Sequence, residues 1–172
     1  ICVLEPVKFT RDEVDHLMSP RGDRDAEESF FTMLTDADTL GALIRPDVSV
    51  LPAIGARVER LCAEENLFGQ DLLHRARRAV EQARYLADRY HVIVANPPYM
   101  GGKNMEKGLV AKLKERYPET KADLFSAFVQ RSSELSVRLG FVGIMSPNVW
   151  MYIASHEKLR KIITGFRIET LV

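Results

Sequence analysis

A run of five residues, His91-Val92-Ile93-Val94-Ala95, is followed without a spacer by Asn96-Pro97-Pro98-Tyr99. The run reads as a buried strand of the kind that passes through a parallel sheet. Two prolines end it, because proline brings no N–H to a ladder and disfavours helix in the residue before it. They do not account for the amide ahead of them or the ring behind.

The flanking periodicities place this strand in an alternating pattern. From Gln70 to Tyr90, Leu72, Leu73, Ala76, Ala79, Val80, Ala83, Leu86, Ala87 and Tyr90 recur at helical spacing, which predicts a long amphipathic helix leading into the strand. Arg75, Arg77, Arg78 and Arg84 lie mostly off that stripe, and a solvated helix face is preferred to phosphate contact for them. After a glycine-containing loop, Leu124, Phe125, Phe128, Val129, Leu135 and Leu139 mark a helix from about Ala122 to Leu139, with Gly140 as its stop. Phe141 to Pro147 reads as a second buried strand, Ser155 as the cap of a helix through Ile163, and Arg167 to Val172 as a third strand of this half. Strand, helix, strand, helix, strand is the rhythm of a parallel α/β sheet. Earlier in the chain, ICVLEP reads as a short strand closed by Pro6 and RGDRDAEES as a surface loop. Residues 27 to 44 carry mixed helical signals with Phe30 and Met33 in the core.

Composition narrows the classes. Twenty-four basic and twenty-four acidic side chains cancel over 172 residues, so no global field draws the chain to a polyanion, and any such contact has to be local. Cys2 and Cys62 form no C-x-x-C pattern, and His16, His74, His91 and His156 are scattered, so neither a metal site nor a disulfide framework is expected. No apolar run approaches the roughly 18 residues of a membrane span. The start, ICVLEPVKFT, is neither a signal peptide nor a translation start, so the expectation is a cytoplasmic fragment.

In a parallel sheet, ligands sit outside the carboxyl ends of the strands, and Asn96 to Tyr99 stands at one of those ends. Prolines hold a tight turn in which the Asn96 side-chain oxygen and the Pro97 carbonyl converge on one point. Two acceptors aimed at one spot suit an amino group with two hydrogens. In an aromatic amine such as adenine's exocyclic nitrogen the lone pair is delocalised into the ring. Accepting both hydrogens favours a pyramidal nitrogen and stabilises the charge that develops as it attacks. Tyr99 offers a flat face for a base taken out of a duplex.

The octapeptide V-I-V-A-N-P-P-Y resembles the catalytic motif of amino-group methyltransferases that use S-adenosylmethionine, above all the adenine-specific DNA methyltransferases. A bare N-P-P-Y also occurs in enzymes that methylate glutamine side chains of translation release factors. The surroundings narrow the choice. Lys121 to Phe128, Gly140 to Trp150 and Lys158-Leu159-Arg160 resemble the D-L-[FY]-x-x-F, G-x-x-x-x-I-x-P-x-x-W and L-R series of the large type II restriction-modification methylases. N-P-P-Y-M-G-G-K is most similar to the BREX phage-exclusion (PglX-like) branch.

The resemblance implies an α/β, Rossmann-like S-adenosylmethionine-dependent methyltransferase fold with a mostly parallel sheet. It implies catalytic roles for Asn96, Pro97, Pro98 and Tyr99, and cofactor contacts for Phe128 and Asp123. Core packing for Phe128 and a first-turn carboxylate role for Asp123 stand beside those readings. Tyr99 and Lys103 become the candidate DNA contacts. Lys103 opens a stretch to Lys121 with six basic and three acidic side chains, for which simple solvation is the rival reading. Trp150 is expected at the sheet edge.

The family's glycine-rich cofactor turn, of D-P-x-C-G-S-G type, is not found in the 172 residues. ICVLEP resembles the strand that follows it, which would make His91 to Ala95 the fourth strand in a sheet ordered 3-2-1-4-5. The expectation is therefore a partial catalytic domain, with residues 1–89 preceding the motif and residues 90–172 forming the motif-bearing half. Its first two strands and last strand would be absent. The open edge of His91 to Ala95 would then leave the piece marginally stable or self-associating, and inactive alone. For the parent, methylation of adenine in DNA within phage defence, alongside other defence proteins, stands against two alternatives. One is a non-catalytic DNA- or protein-binding module on the same scaffold, and the other is a protein glutamine methyltransferase.

Overall fold

The computed structural model describes residues 2–20, 22–64 and 69–171. The chain divides into two compact units, Ile1–Asp88 and Arg89–Val172.

The first unit is helical. Its helices are α1 (Arg11–Leu17), α2 (Arg24–Met33), the short α3 (Ala37–Leu40), α4 (Leu51–Glu64) and α5 (Gln70–Ala87), with 3₁₀ turns at Leu34–Asp36 and Gly41–Leu43. Helix α5 follows the sequence periodicity: Leu73, Ala76, Ala79, Val80, Ala83 and Leu86 are buried. It packs on α4 through the apolar face that carries Ile54, Val58 and Leu61. Phe30, Phe31 and Met33 of α2 lie in the core, and the Phe31 ring meets Phe9 and Phe30 edge-on at 5.4 and 5.3 Å. Three of the four arginines of α5 are engaged by carboxylates of the same unit: Arg75 by Glu13 and Asp71, Arg77 by Glu59, Arg78 by Glu5.

Two expectations for this unit are corrected. RGDRDAEES is a loop only at its start. Asp23 accepts the Ala26 N–H and caps α2, while Glu27 is buried and accepts the Ser19 N–H at 2.7 Å; Arg21 lies outside the described residues. A run of charges hid a helix start because its first turn favours acidic side chains. The ICVLEP strand is also absent over Cys2–Pro6, with Ile1 outside the described residues. These residues run without a ladder: Glu5 gives its N–H to the Gln82 side chain at 2.8 Å, and Val7 gives its own to the Leu34 carbonyl at 3.2 Å.

Glu13 ties α1 to α5. It forms a capping box with Thr10, accepting the Thr10 N–H at 2.8 Å, and its carboxylate also accepts from Arg75. The Arg75 guanidinium first, and the Thr10 N–H next, hold the Glu13 carboxyl below its ordinary value of 4.5. A carboxylate depressed in the folded state stabilises it above the unfolded pKa, and that stabilisation is lost as pH falls through the folded one. Glu13→Gln is therefore expected to lower the melting temperature at neutral pH and to flatten its decline between about pH 5 and about pH 3. Parallel declines in the two proteins would remove Glu13 from the acid response.

The second unit carries β1 (Tyr90–Ala95), α6 (Lys107–Arg116), α7 (Leu124–Leu135), β2 (Ser136–Ile144) and α8 (Glu157–Ile163), with 3₁₀ turns at Asn148–Met151 and Ala154–His156. The two strands are parallel, pairing Val92 with Phe141, Ile93 with Val142, Val94 with Gly143 and Ala95 with Ile144. Helix α7 packs against both strands and α8. Helix α6 occupies the stretch read as loop. It buries Leu109 and Leu113, and Tyr117 just beyond it is fully buried.

β1 is where the sequence placed it and β2 overlaps the expected Phe141 to Pro147 but begins at Ser136, inside the stretch read as helix, and neither strand is buried as expected. Ile93 and Ala95 are half-covered, while Val92 and Val94 are 63% and 83% exposed, and Phe141 is 64% exposed. An unbroken apolar run marks a strand that can be covered on both faces; whether a second layer covers it is settled by other elements. Among the described residues the sheet has two strands, so each keeps an unpaired edge. Residues 167–171 form no strand, and Val172 lies outside the described residues.

Gly140 does not end α7. The helix stops at Leu135, Leu139 takes a positive φ of 70°, and Gly140 lies in the irregular start of β2. A Cβ there would meet the Ser136 Oγ at 2.6 Å and the His91 carbonyl at 3.0 Å, so the glycine answers to close approach and not to a helix cap. Helix α8 begins at Glu157. His156 is its N-cap position, without a side-chain capping bond, and Ser155 lies inside the preceding 3₁₀ turn.

Candidate active site

Strand β1 delivers Asn96-Pro97-Pro98-Tyr99 at its carboxyl end, beside the end of β2. The ladder reaches the edge of this turn, because the Ala95 carbonyl accepts the Met145 N–H at 3.1 Å. On the far side, Asp123 Oδ1 accepts the Met100 N–H at 3.2 Å, and the Met100 carbonyl accepts the Leu124 N–H at 3.0 Å. Gly101 bridges antiparallel to Asp123, and Gly102 donates to the Ala122 carbonyl at 3.2 Å. The tetrapeptide is thus held at both ends, with its dihedrals narrowed by two prolines.

Within it, Pro97 is buried while Asn96 and Pro98 are exposed. The Asn96 side chain makes no hydrogen bond among the described residues, leaving its oxygen available at the strand end. Tyr99 is 53% exposed, and one edge of its ring rests at 90° against the fully buried Phe125, with centroids 6.4 Å apart. Phe125 in turn lies 5.4 Å from the His156 ring, and the His156 Nδ1 pairs with the Ser126 hydroxyl at 3.2 Å. Burial pushes the His156 imidazole below its ordinary value and the Arg160 charge adds to this, against the opposing pull of Asp123. The neutral ring acts as packing beneath the turn. Nothing in the spacing of the four histidines singled out His156, because its partners come from α7, a separate element.

The remaining candidates spread around this turn. Asp123 is the N-cap of α7, and its Oδ1 also accepts the Phe125 N–H at 3.2 Å. Phe128 is half-buried one turn after Phe125, and Lys103 is exposed just beyond the pinned segment. Trp150 is half-buried in the 3₁₀ turn after β2. There the L-R pair has a structural use: Leu159 is buried, and the Arg160 Nη1 donates to the carbonyls of Trp150 at 2.7 Å and Ile153 at 2.8 Å. A polar cleft of about 450 Å³ beside Ser19, Arg24 and Arg57 lies in the first unit and shares no residue with the turn. Among the described residues, no helix is long and apolar enough to cross a membrane.

The turn thus leaves the Asn96 amide and the Tyr99 ring open to a ligand at the strand end. Of the two residues the resemblance marks for a cofactor, Phe128 keeps a half-buried ring that could lie against an aromatic base, while Asp123 Oδ1 is already engaged by two backbone N–H groups.

The sequence model of one family, described as Eco57I restriction-modification methylase, matches residues 54–172, more than half of the chain. The adenine-specific methyltransferase BrxX of Escherichia coli O9:H4 (strain HS) is 37% identical over 131 residues, covering 74% of this chain and 11% of its own length. The adenine-specific methyltransferase PglX of Lacticaseibacillus casei (strain Zhang) is 32% identical over 92 residues, covering 54% of this chain and 8% of its own length. The type II methyltransferase M.BstVI of Geobacillus stearothermophilus is 34% identical over 89 residues, covering 50% of this chain and 16% of its own length. The chain spans a small part of each of these relatives.

Proposed function

The chain belongs to the Eco57I restriction-modification methylase family, and from that premise we propose that it is part of the catalytic domain of an adenine-specific DNA methyltransferase acting on the N6 amino group of adenine. The observation that carries this reading is the Asn96 amide, exposed and without a partner among the described residues, beside the Pro97 carbonyl in a turn tied at both ends. S-adenosylmethionine supplies the methyl group when bound. Asn96 Oδ1 and the Pro97 carbonyl accept the two amino hydrogens and draw the nitrogen toward a tetrahedral shape, Pro98 keeps the turn rigid, and Tyr99 stacks on the extruded base.

We assign the cofactor's adenine ring to Phe128, whereas Asp123, whose Oδ1 is engaged by the Met100 and Phe125 N–H groups, is assigned to the turn and not to the cofactor. Lys103, exposed beside the turn, is the candidate phosphate contact. On the same reading β1 and β2 are neighbouring strands of a Rossmann-like sheet. The parent then works on DNA in the cytoplasm, with phage-defence or restriction proteins as its partners. The names of the relatives support adenine over a glutamine side chain as the methyl acceptor.

The test is methyl transfer by the full-length parent to duplex DNA, with the nucleosides identified by mass spectrometry after digestion. N6-methyladenine is expected; methylated protein alone, or no transfer, overturns the reading. Because the 172 residues contain no D-P-x-C-G-S-G turn, the chain by itself is expected to give no heat of S-adenosylmethionine binding in calorimetry. Micromolar binding would show that the cradle lies within it.

A further inference from the structure

Asp123 sits where two backbone segments meet. Its Oδ1 accepts the N–H of Phe125, two residues into its own helix, and the N–H of Met100, the residue directly after the tetrapeptide, both at 3.2 Å. Around that oxygen the backbone closes the same junction, with Leu124 donating to the Met100 carbonyl, Gly102 donating to the Ala122 carbonyl and Gly101 bridging to Asp123. An ordinary N-cap satisfies only the orphan N–H groups of its own helix. Asp123 does that and also holds a strand-end turn 23 residues away in sequence.

We propose that Asp123 is a positioning residue for methyl transfer. Through Oδ1 it locks Met100 to the first turn of α7, and so fixes where Tyr99 rests on Phe125 and where Asn96 and the Pro97 carbonyl aim. The inference rests on the function proposed above. A ring and two acceptors presented by one short turn lose their aim together if its trailing end drifts, and a misplacement of about 1 Å is enough to cost on the order of 100-fold in rate. Asp123 touches the turn and not the amino group, so its effect is on kcat and not on cofactor affinity.

Two substitutions in the full-length parent separate this role from capping and from a charge contact to the cofactor. Asp123→Asn keeps an acceptor oxygen at the same reach. Asp123→Ser keeps a good N-cap for α7 but is too short to bond Met100 as well. We expect Asp123→Asn to stay within about 3-fold of wild-type kcat. Asp123→Ser is expected to lose at least about 10-fold in kcat at saturating DNA and cofactor, with the melting temperature and the S-adenosylmethionine Kd near wild type. Wild-type kcat in Asp123→Ser overturns the proposal, and so does an equal loss in both variants with a weakened cofactor Kd, which would mark a charge contact instead. Amide hydrogen exchange of the peptide spanning Tyr99 to Asn104 reads the lock without turnover: it is expected to quicken in Asp123→Ser and not in Asp123→Asn. Unchanged exchange in both variants sinks the lock. A wild-type parent with no methyl transfer but with this exchange pattern would sink the proposed function and leave the lock standing.

Discussion

Asn96→Ala in the full-length parent is expected to lower methyl transfer by about 100- to 1,000-fold, the scale seen when one preorganised polar group is removed from the site of developing charge. The affinity for S-adenosylmethionine is expected to stay within about 3-fold, because the amide acts on the attacking nitrogen and not on the sulfonium. The structure makes this substitution clean. Asn96 is exposed and its side chain has no hydrogen bond among the described residues, so truncating it orphans no buried partner and leaves the ladder bond from Met145 to the Ala95 carbonyl in place. Single-turnover methylation beside a calorimetric Kd separates the two quantities. Equal loss of binding and turnover would move Asn96 from the nucleophile to the cofactor.

Tyr99→Ala is expected to weaken binding of an extruded base by about 5- to 150-fold, the equivalent of roughly 1–3 kcal/mol per stacked base, while Tyr99→Phe stays close to wild type. The ring is half-exposed and supported edge-on by Phe125, and its hydroxyl has no hydrogen-bond partner among the described residues. Phenylalanine therefore keeps both the stacking face and the edge contact. A 2-aminopurine placed at the target position reports extrusion by its fluorescence. Matching titration curves for the two variants would show that Tyr99 does not stack on the base.

Much of the candidate site was legible because its chemistry is local. Asn96 to Tyr99 are consecutive, and their amide, prolines and ring carry their meaning wherever a strand delivers them. The strand before them was legible from its unbroken apolar run, and α5 from its 3.6-residue stripe. Less was legible around Asp123. Its spacing suggested a first-turn carboxylate, but the bond to Met100 joins residues separated by two loops and α6, a pairing with no periodic trace. His156 was missed for the same reason. Helix α6 was missed because charged residues surround its two buried positions, Leu109 and Leu113.

The amino-acid order alone determined the candidate turn, the parallel direction of β1 and β2 and the family, since these rest on local motifs and on the alternation of strand with helix. Only tertiary structure decided which apparent strands find a ladder. Cys2–Pro6 and residues 167–171 have suitable composition yet stay unpaired, while Gly140 enters β2 because two carbonyls and a hydroxyl crowd it. It also decided which carboxylate holds the turn. A strand's hydrogen bonds and a capping oxygen's second partner belong to whatever segment the fold brings alongside, and that distance is set by packing rather than by the residues themselves.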